Sequence, residues 1–306
     1  MVRRKLAAAD IGSNTVHVLV AETDGVEVQR LVNESDWLSL GEVVAKEKCI
    51  PLPMEQRLLA TLRRYIQTVR EHRAEQFYVF ATEAMRVAEN HDEIMGRIED
   101  LLGVRVDLIT PRREAELSFI GASIDSDPNG PVLLVEVGGG SAQLARCDAC
   151  SVQLEVSLPL GTGKLISKYG LTTPPNPDQM AAMQKAIQGH LEVVREWPKV
   201  SRVIGSGGVA RGLVRALHPD GERELHLVEL DYLLWSAERL SIEPLMLRFG
   251  VKQKRAQTLV PGTAVIRSAL QAFGQDRLTV SSFGVREGAI LELYHGRVNG
   301  WQRKSP

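Results

Sequence analysis

LLVEVGGGSAQL, from Leu133 to Leu144, places three consecutive glycines between two apolar runs that have the pattern of β-strands. Glycine inside a strand costs stability, so Gly138, Gly139 and Gly140 indicate a tight turn or a close approach of another group to the backbone. Successive backbone N–H groups in such a turn can point toward one anion. The stretch therefore predicts a strand, a glycine turn suited to an anion, and a second strand.

The same order occurs near the N-terminus, in LAAADIGSNTVHVLVAETDGVEVQRLV. Both stretches read as strand, turn, strand, turn, strand, and Asp24-Gly25 is a strong hairpin signal in the N-terminal one. When the two are aligned, Asp10 lies over Glu136, and DIGSNT lies over EVGGGS. The chain therefore contains a duplication. One such turn alone would be an ordinary hairpin, but two matched copies favour a shared binding role.

An α/β pattern follows each meander. In the first half, the spacing of apolar residues predicts helices in MEQRLLATLRRYIQTVREH, HDEIMGRIEDLLG and PRREAELSFIGASI, and strands in QFYVFAT and VRVDLIT. In the second half, it predicts a long helix, the strand RVIGSGG leading into the helix VARGLVRAL, a strand near RLTVSSF, and a final helix from about Val285 to His295. We therefore expect an α/β protein of two lobes with a cleft between them. The turn-rich DSDPNGP separates a lobe of residues 1–127 from a lobe of residues 128–306.

Composition excludes several classes of protein. The 306 residues include 37 Lys+Arg and 38 Asp+Glu, for a net charge of -1, which argues against a nucleic-acid or membrane-surface partner. No apolar run is long enough to span a membrane, and we expect a cytoplasmic protein. Three cysteines fit a reducing compartment, and the single C-x-x-C, formed by Cys147 and Cys150, lies where a hairpin turn is expected. We interpret that pair as structural.

The residues around the two turns suggest phosphate together with a divalent cation. A carboxylate beside an anion-binding turn is repulsive unless it serves a cation or a water, so Asp10 and Glu136 are candidate ligands for Mg²⁺ or another divalent cation. GSGG, at a predicted strand-to-helix junction, offers further backbone donors. The candidate phosphate-binding residues are Gly12, Ser13, Asn14, Thr15, Arg86, Gly138, Gly139, Gly140, Ser141, Gly207 and Gly208.

Glu114 is the candidate catalytic residue. It lies in the first turn of a predicted helix, where a Glu is commonly only a partner of the helix dipole. Its position after a strand that should end at the cleft makes it a candidate general base that deprotonates an attacking water. Arg86 is suited to bidentate contact with phosphate.

Eight stretches in order resemble the exopolyphosphatase/guanosine pentaphosphate phosphohydrolase (PPX/GppA) family across nearly the whole chain. They are AAADIGSNTVHVLVAE, FATEAMRVAEN, REAELSFIGA, VEVGGGSAQL, SLPLGTGKL, GSGGVARGL, LVPGTAVIRSAL and FGVREGAILEL. The resemblance implies two ribonuclease-H-like lobes of the actin and sugar kinase superfamily. The chain resembles a short form of the family, without the C-terminal helical domain of longer relatives.

The resemblance also implies an activity, namely hydrolysis of terminal phosphoanhydrides in inorganic polyphosphate or at the 5′ end of pppGpp, with Mg²⁺. Glu114 matches the family's catalytic base, Asp10 its first-turn aspartate, and Arg86 the arginine of its AT-x-A-x-R motif. Inorganic polyphosphate or guanosine penta- or tetraphosphate is the expected ligand. A homodimer is the expected assembly.

Several positions depart from the family pattern. Glu136 stands for an aspartate, and Gln143 stands for an acid expected near metal and water. An amide cannot accept a proton and is a weak Mg²⁺ ligand. Arg113 replaces the first Glu of a pair and is expected to lower the basicity of Glu114. Two further departures remove polar groups, at Val209 and Ser282.

Two readings follow. In the first, the protein is a working exopolyphosphatase, because phosphoryl transfer depends mainly on positioning and charge neutralisation. In the second, the neutral Gln143 leaves a module that senses polyphosphate or a guanosine alarmone with little turnover. A kinase of the same superfamily is a third reading, and it would also need a pocket for a second substrate.

Overall fold

The structure is a computed structural model that describes residues 2–302, with no side-chain description for Gln302. The chain forms two compact units. Unit 1 contains the residues up to Ile124 and those from Phe283 onward, and unit 2 runs from Asp125 to Ser282. Among residues 2–302, no helix is both long and apolar enough to cross a membrane.

Unit 1 begins with the predicted meander and continues with alternating helices and strands. Its elements are β1 (Arg4–Ile11), β2 (Thr15–Thr23), β3 (Val28–Trp37), α1 (Leu40–Glu47), α2 (Leu52–Glu71), β4 (Gln76–Ala81), α3 (Glu83–Val87), α4 (His91–Leu102), β5 (Val106–Leu108) and α5 (Pro111–Ala122). The sequence signals explain several of the ends. Gly103, with φ of 67°, ends α4, and Pro111 occupies the first turn of α5.

Unit 2 repeats this plan with additional helices. Its elements are β6 (Val132–Val137), β7 (Ala142–Asp148), β8 (Ser151–Leu158), α6 (Thr162–Tyr169), α7 (Pro177–Leu191), a 3₁₀ turn (Glu192–Val194), β9 (Arg202–Ser206), α8 (Gly207–Leu217), β10 (Glu224–His226), α9 (Leu227–Ala237), α10 (Ile242–Phe249), α11 (Gln253–Ala272) and β11 (Arg277–Val280). The chain then returns to unit 1 with α12 (Val285–Tyr294) and β12 (Trp301–Gln302).

The two sheets share one strand order. In unit 1, β3, β2 and β1 are antiparallel neighbours, and β4 and β5 then pair in parallel, with β12 on the first residues of β4. In unit 2, β8, β7 and β6 are antiparallel neighbours, β9 and β11 pair in parallel, and β10 closes the edge. Three antiparallel strands followed by two parallel ones form the ribonuclease-H-like order. The prediction of an α/β protein with two ribonuclease-H-like lobes is therefore confirmed.

Helices cover both faces of the unit 1 sheet. Successive residues of a strand point to opposite faces, and Ala7 and Ala9 pack in one hydrophobic cluster with Leu58 of α2, whereas Leu6 and Ala8 pack in another. This second cluster also contains residues of α5 and α12. The near-continuous apolar run of β1 is thus explained by burial on two sides.

The last helix lies in a different unit from the one that the sequence predicted. Residues 128–306 were expected to form one lobe, but α12 belongs to unit 1, and that unit's first segment ends at Ile124 rather than at residue 127. Ile290 and Leu293 of α12 pack with Leu6 of β1. The apolar spacing of a helix predicts that one face is buried but carries no information about which sheet covers it.

Candidate functional site

The two predicted turns have the same backbone geometry. In the first turn, residues 12–15, the Gly12 N–H donates to the carbonyl of Thr15 at 3.1 Å. In the second turn, residues 138–141, the Gly138 N–H donates to the carbonyl of Ser141 at 2.9 Å. These are the positions that the sequence alignment of the halves places over one another, so the duplication extends to individual hydrogen bonds.

The first turn is held by the start of α1. The N–H groups of Leu38 and Ser39 both donate to the carbonyl of Asn14 at 2.9 Å, and the N–H of Gly41 donates to the carbonyl of Ser13 at 2.8 Å. The Ser13 hydroxyl donates to the Glu83 carboxylate of α3 at 2.6 Å. This hydroxyl is directed toward α3, so the backbone is the part of Ser13 best suited to an anion.

The second turn is held in the same way by α6, within the motif SLPLGTGKL. The N–H of Thr162 donates to the Gly138 carbonyl at 2.9 Å, and those of Gly163 and Lys164 donate to the Gly139 carbonyl at 2.9 and 3.2 Å. A Cβ atom at Gly161 would lie 2.2 Å from the carbonyl carbon of Gly140, so only glycine permits this contact. In each turn, two of the carbonyl groups, which would repel an anion, are therefore engaged by N–H groups at or just before the start of the following helix.

Asp10, Arg86 and Glu114 belong to one edge of the unit 1 sheet. Asp10 pairs with Phe80 in the parallel register of β1 and β4, and Ala81 pairs with Leu108 of β5. The carboxyl ends of these strands lead into the first turn, α3 and α5, respectively. Carboxyl edges of parallel strands are where α/β proteins build their sites.

Arg86 and Glu114 form an ion pair within unit 1. Both terminal nitrogens of Arg86 donate to Oε2 of Glu114 at 3.1 Å, and Nη1 also donates to the carbonyl of Ile109 at 2.8 Å. The two side chains are 18% and 21% exposed, so the pair is largely shielded from water. Separate roles are predicted for these residues from the sequence, and the structure brings them together in one ion pair.

Arg113 does not pair with Glu114 as its position in the sequence suggested. Its guanidinium donates to Glu292 of α12 at 2.7 Å and to Glu116 at 3.2 Å. Burial opposes a charge on Arg113, but these carboxylates outweigh it and raise its pKa. Neighbouring helical residues point about 100° apart, so Arg113 and Glu114 serve different partners. Two acids compensate the charge of Arg113, and its expected effect on the basicity of Glu114 stays a prediction.

Glu136 lies among residues of three strands in unit 2. It pairs in register with Gln143 of β7 on one side and with Ser206 of β9 on the other. Gln143 is buried, with 6% exposed. A Cβ atom at Gly207, whose φ is 83°, would lie 2.8 Å from Oε1 of Glu136. The longer side chain of Glu136 thus places its carboxylate at the start of α8, where GSGG enters the helix.

Arg255 of α11 is a candidate that the sequence analysis missed. A Cβ atom at Gly212 would lie 3.0 Å from its Cδ and Nε, and one at Gly208 would lie 3.9 Å from its Nη2. Burial lowers the pKa of Arg255, and the positive charge of Arg215 lowers it further. Within residues 2–302, no carboxylate pairs with Arg255. Its sequence neighbourhood, KQKRAQ, resembles an ordinary basic helix start, and only the fold shows that the guanidinium lies beside GSGG.

The donor set suits a cation shared with phosphate rather than a cation held by protein alone. No group of three or more His, Cys, Asp or Glu residues capable of holding a metal occurs among the described residues. Unit 1 offers Asp10 and unit 2 offers Glu136, each beside an anion-suited turn. Mg²⁺ in phosphate-handling sites is commonly held by one or two carboxylates together with water and substrate phosphates. In each unit, one carboxylate next to a turn is therefore of the kind that binds Mg²⁺ together with a phosphate ligand.

The C-x-x-C occupies a hairpin turn, as its structural interpretation predicted. Cys147 is buried at the end of β7, where burial raises the pKa of its thiol to about 12. Cys150 is exposed in the turn to β8, and both cysteines are free thiols.

Comparisons with known proteins agree with this architecture. The chain is similar to exopolyphosphatase 1 of Mycobacterium leprae (24% identity, covering 97% of this chain and 91% of that protein). It is equally similar to exopolyphosphatase 1 of Mycobacterium tuberculosis (24% identity, covering 97% and 90%).

Solved structures share the fold. A Ppx/GppA family member from Aquifex aeolicus superposes with a TM-score of 0.85 at 24% identity, covering 98% of this chain and all of that one. An exopolyphosphatase from Cytophaga hutchinsonii gives a TM-score of 0.85 at 22% identity, covering 96% and 98%. The sequence profile of the Ppx/GppA phosphatase family matches residues 19–296. The chain therefore belongs to the Ppx/GppA phosphatase family.

Proposed function

We propose that this protein is a Mg²⁺-assisted exopolyphosphatase, which releases the terminal phosphate of inorganic polyphosphate by attack of a water molecule that Glu114 activates. The observation that carries the proposal is the Glu114 carboxylate, oriented by Arg86 at the sheet edge that also bears the first turn. The relatives named as exopolyphosphatases support the choice of substrate. The 5′ phosphoanhydride of pppGpp is a second substrate of the same chemistry.

Phosphate is held mainly by backbone donors in this proposal. The N–H groups of Ser13, Asn14 and Thr15 would serve in the first turn, and those of Gly139, Gly140 and Ser141 in the second, whereas the N–H groups of Gly12 and Gly138 close the turns. The GSGG motif adds the backbone of Gly207 and Gly208 at the start of α8, where the helix dipole favours an anion. Backbone donors suit a polymer of identical phosphates because they recognise the phosphate group itself.

Glu114 is the base and Arg86 its positioning residue. As the water oxygen bonds to the terminal phosphorus, its proton passes to a carboxylate oxygen of Glu114. The bond from that phosphorus to the bridging oxygen then breaks, and the shortened polyphosphate leaves with the electron pair. The two hydrogen bonds from Arg86 hold the carboxylate in one orientation. The role of Arg86 as a direct phosphate ligand stays a prediction.

Asp10 and Glu136 are the proposed ligands of Mg²⁺. When bound, the cation neutralises phosphate charge, which is one of the main requirements of phosphoryl transfer. Each carboxylate lies beside a turn that would itself bind phosphate, so without a cation it would repel the substrate. Activity is therefore expected to depend on a divalent cation.

One observation favours a sensor as the alternative function. Gln143, buried opposite Glu136, is a neutral amide where the family has an acid. A weakened cation site would leave phosphate binding through the backbone turns intact while slowing hydrolysis. Such a protein would bind polyphosphate or a guanosine alarmone without efficient turnover.

The experiment that separates these functions measures phosphate release and ligand binding on the same preparation. Purified protein is given long-chain polyphosphate or pppGpp with increasing Mg²⁺, and binding is measured by calorimetry. Mg²⁺-dependent release from polyphosphate supports the enzyme. Binding of either ligand without release at any Mg²⁺ concentration would replace it with the sensor, and neither binding nor release would contradict both.

A further inference from the structure

Helix α12 lies directly against α5, the helix that carries Glu114. A Cβ atom at Gly288 of α12 would lie 1.9 Å from the carbonyl oxygen of Leu117, so the two backbones touch where Gly288 faces α5. Leu117 packs in the same cluster as Ile290 of α12. The position of α5 therefore depends on the C-terminal segment that returns to unit 1.

A buried carboxylate joins these two helices electrostatically. Glu292 of α12, whose side chain is 4% exposed, accepts a hydrogen bond from Arg113 at 2.7 Å and another from Arg297 at 2.8 Å. Burial by itself would raise the pKa of Glu292, but the two guanidinium groups outweigh burial and lower it. Glu292 therefore carries a full negative charge at neutral pH next to Arg113.

Charged groups of both signs surround Glu114, and their net charge depends on how the charge of Arg113 is compensated. On its own helix it is flanked by Arg112, Arg113 and Glu116, which interact with one another. From α3 it faces Arg86. The remaining charged and titratable groups around Arg113 are Glu292, Arg297, and Tyr78 of β4 with its partner Asp107.

From this arrangement we infer that Glu292 is a positioning residue for the base, because it compensates the charge of the Arg113 guanidinium next to Glu114 and fixes the first turn of α5, which carries Glu114, to α12. The inference rests on the proposed function of Glu114. It explains why Arg113 is compatible with a working base although the family has an acid at that position.

Removing Glu292 would leave Arg113 with Glu116 as its remaining acidic partner. A guanidinium one residue from Glu114, compensated only by a Glu116 that it shares with Arg112, would stabilise the carboxylate against protonation and make it a weaker base. The first turn of α5 would also lose its tie to α12. Both effects lower kcat, whereas the turns that bind phosphate are untouched and KM should change little.

The test compares Glu292→Gln with the double variant Arg113→Gln/Glu292→Gln. We expect about a tenfold loss of kcat in Glu292→Gln, with the acid limb of the pH–rate profile moved to lower pH. The double variant lacks the uncompensated charge and should recover most of kcat and the wild-type pH profile. A purely structural role for Glu292 predicts no recovery, since the double variant has lost both members of the ion pair.

Glu55→Gln is the matched control. Glu55 is also a unit 1 carboxylate, 3% exposed and paired with an arginine, Arg97, but it joins α2 and α4. The Glu55→Gln substitution should lower the melting temperature without moving the pH–rate profile. Two results would overturn the inference: a double variant with no higher kcat than Glu292→Gln, or a Glu292→Gln variant with the kcat and pH profile of the wild type. In either case, phosphate release by the wild type would still uphold the proposed function. Absence of release by the wild type would overturn both.

Discussion

Gln143 and Glu136 are directly opposite one another across the antiparallel strands β7 and β6. Side chains in such pairs lie about 5 Å apart at Cβ, so an acid at position 143 would share its surroundings with Glu136. In this protein a buried neutral amide occupies the place of a second carboxylate. Under the proposed role of Glu136 as a cation ligand, this strand pair offers the cation one carboxylate instead of two.

Gln143→Glu tests this relationship. Without Mg²⁺, two like charges in a buried pair should lower the melting temperature, and Mg²⁺ should restore it, because a cation bound between carboxylates offsets their repulsion. Thermal denaturation with and without Mg²⁺ measures the effect. Since we propose that the natural protein is already an enzyme, kcat should change by less than about threefold. A large rise in hydrolysis would instead support the sensor.

Arg86→Met should lower kcat about a hundredfold while polyphosphate binding weakens less. The physical reason is that the substitution removes both hydrogen bonds to Oε2 of Glu114, and a misoriented base loses much of its contribution. Phosphate release at saturating polyphosphate gives kcat, and calorimetry gives the dissociation constant. Arg195→Met, at an exposed site, is the control. A variant that loses binding and keeps kcat would show that Arg86 is a phosphate ligand instead.

Gly161→Ala should weaken polyphosphate binding by tenfold or more. The added Cβ would lie 2.2 Å from the Gly140 carbonyl carbon, so the second turn or α6 must move. Gly189→Ala is the control, because position 189 lies in α7 with no atom within 4 Å of an added Cβ, and Ala there should stabilise the helix by about 0.5–1 kcal/mol. Equal binding by Gly161→Ala and wild type would remove the second turn from the site.

Arg255→Gln should bind polyphosphate about tenfold more weakly and yet be no less stable than the wild type. Burial and the nearby Arg215 both disfavour its charge, so the residue costs stability that an anionic ligand would recover. Calorimetry and thermal denaturation measure the two quantities. A variant with unchanged affinity and a lower melting temperature would give Arg255 a structural role only.

Glu292 should make stability depend on pH in a specific direction. Its folded-state pKa lies below its ordinary value of 4.5, so its ion pairs stabilise the protein at neutral pH, and this stability is lost as pH falls through the folded-state pKa. The melting temperature of the wild type minus that of Glu292→Gln should therefore be largest near neutral pH and shrink below about pH 4. A difference that grows on acidification would contradict the sign of this shift.

The fold was predictable because both meanders carry short apolar strands, glycine turns and matching acids. The same alignment correctly superposed the hydrogen bonds of Gly12 and Gly138. The sequence did not reveal which side chains, distant along the chain, form ion pairs in the folded structure. Arg86 and Glu114 are 28 residues apart, and Arg113 and Glu292 are 179 apart. Nothing in local spacing indicates such partners.

The position of the last helix illustrates the same limit. The amphipathic pattern of α12 is clear in the sequence, but its assignment to unit 1 depends on the apolar residues of β1 and α5 that receive it. Arg255 was missed for a related reason, since a basic residue near a helix start is usually solvated. Only the approach of its guanidinium to Gly208 and Gly212 distinguishes it.

The most direct test of the central claim is phosphate release from long-chain polyphosphate by Glu114→Gln at saturating Mg²⁺, with polyphosphate binding measured in parallel. Glu99→Gln, an exposed acid on α4, is the matched control. We predict that the wild type and Glu99→Gln release phosphate at similar rates, whereas Glu114→Gln binds polyphosphate normally and is slowed by about 10²–10⁴-fold. A Glu114→Gln variant that releases phosphate at the wild-type rate would contradict the assignment of Glu114 as the base.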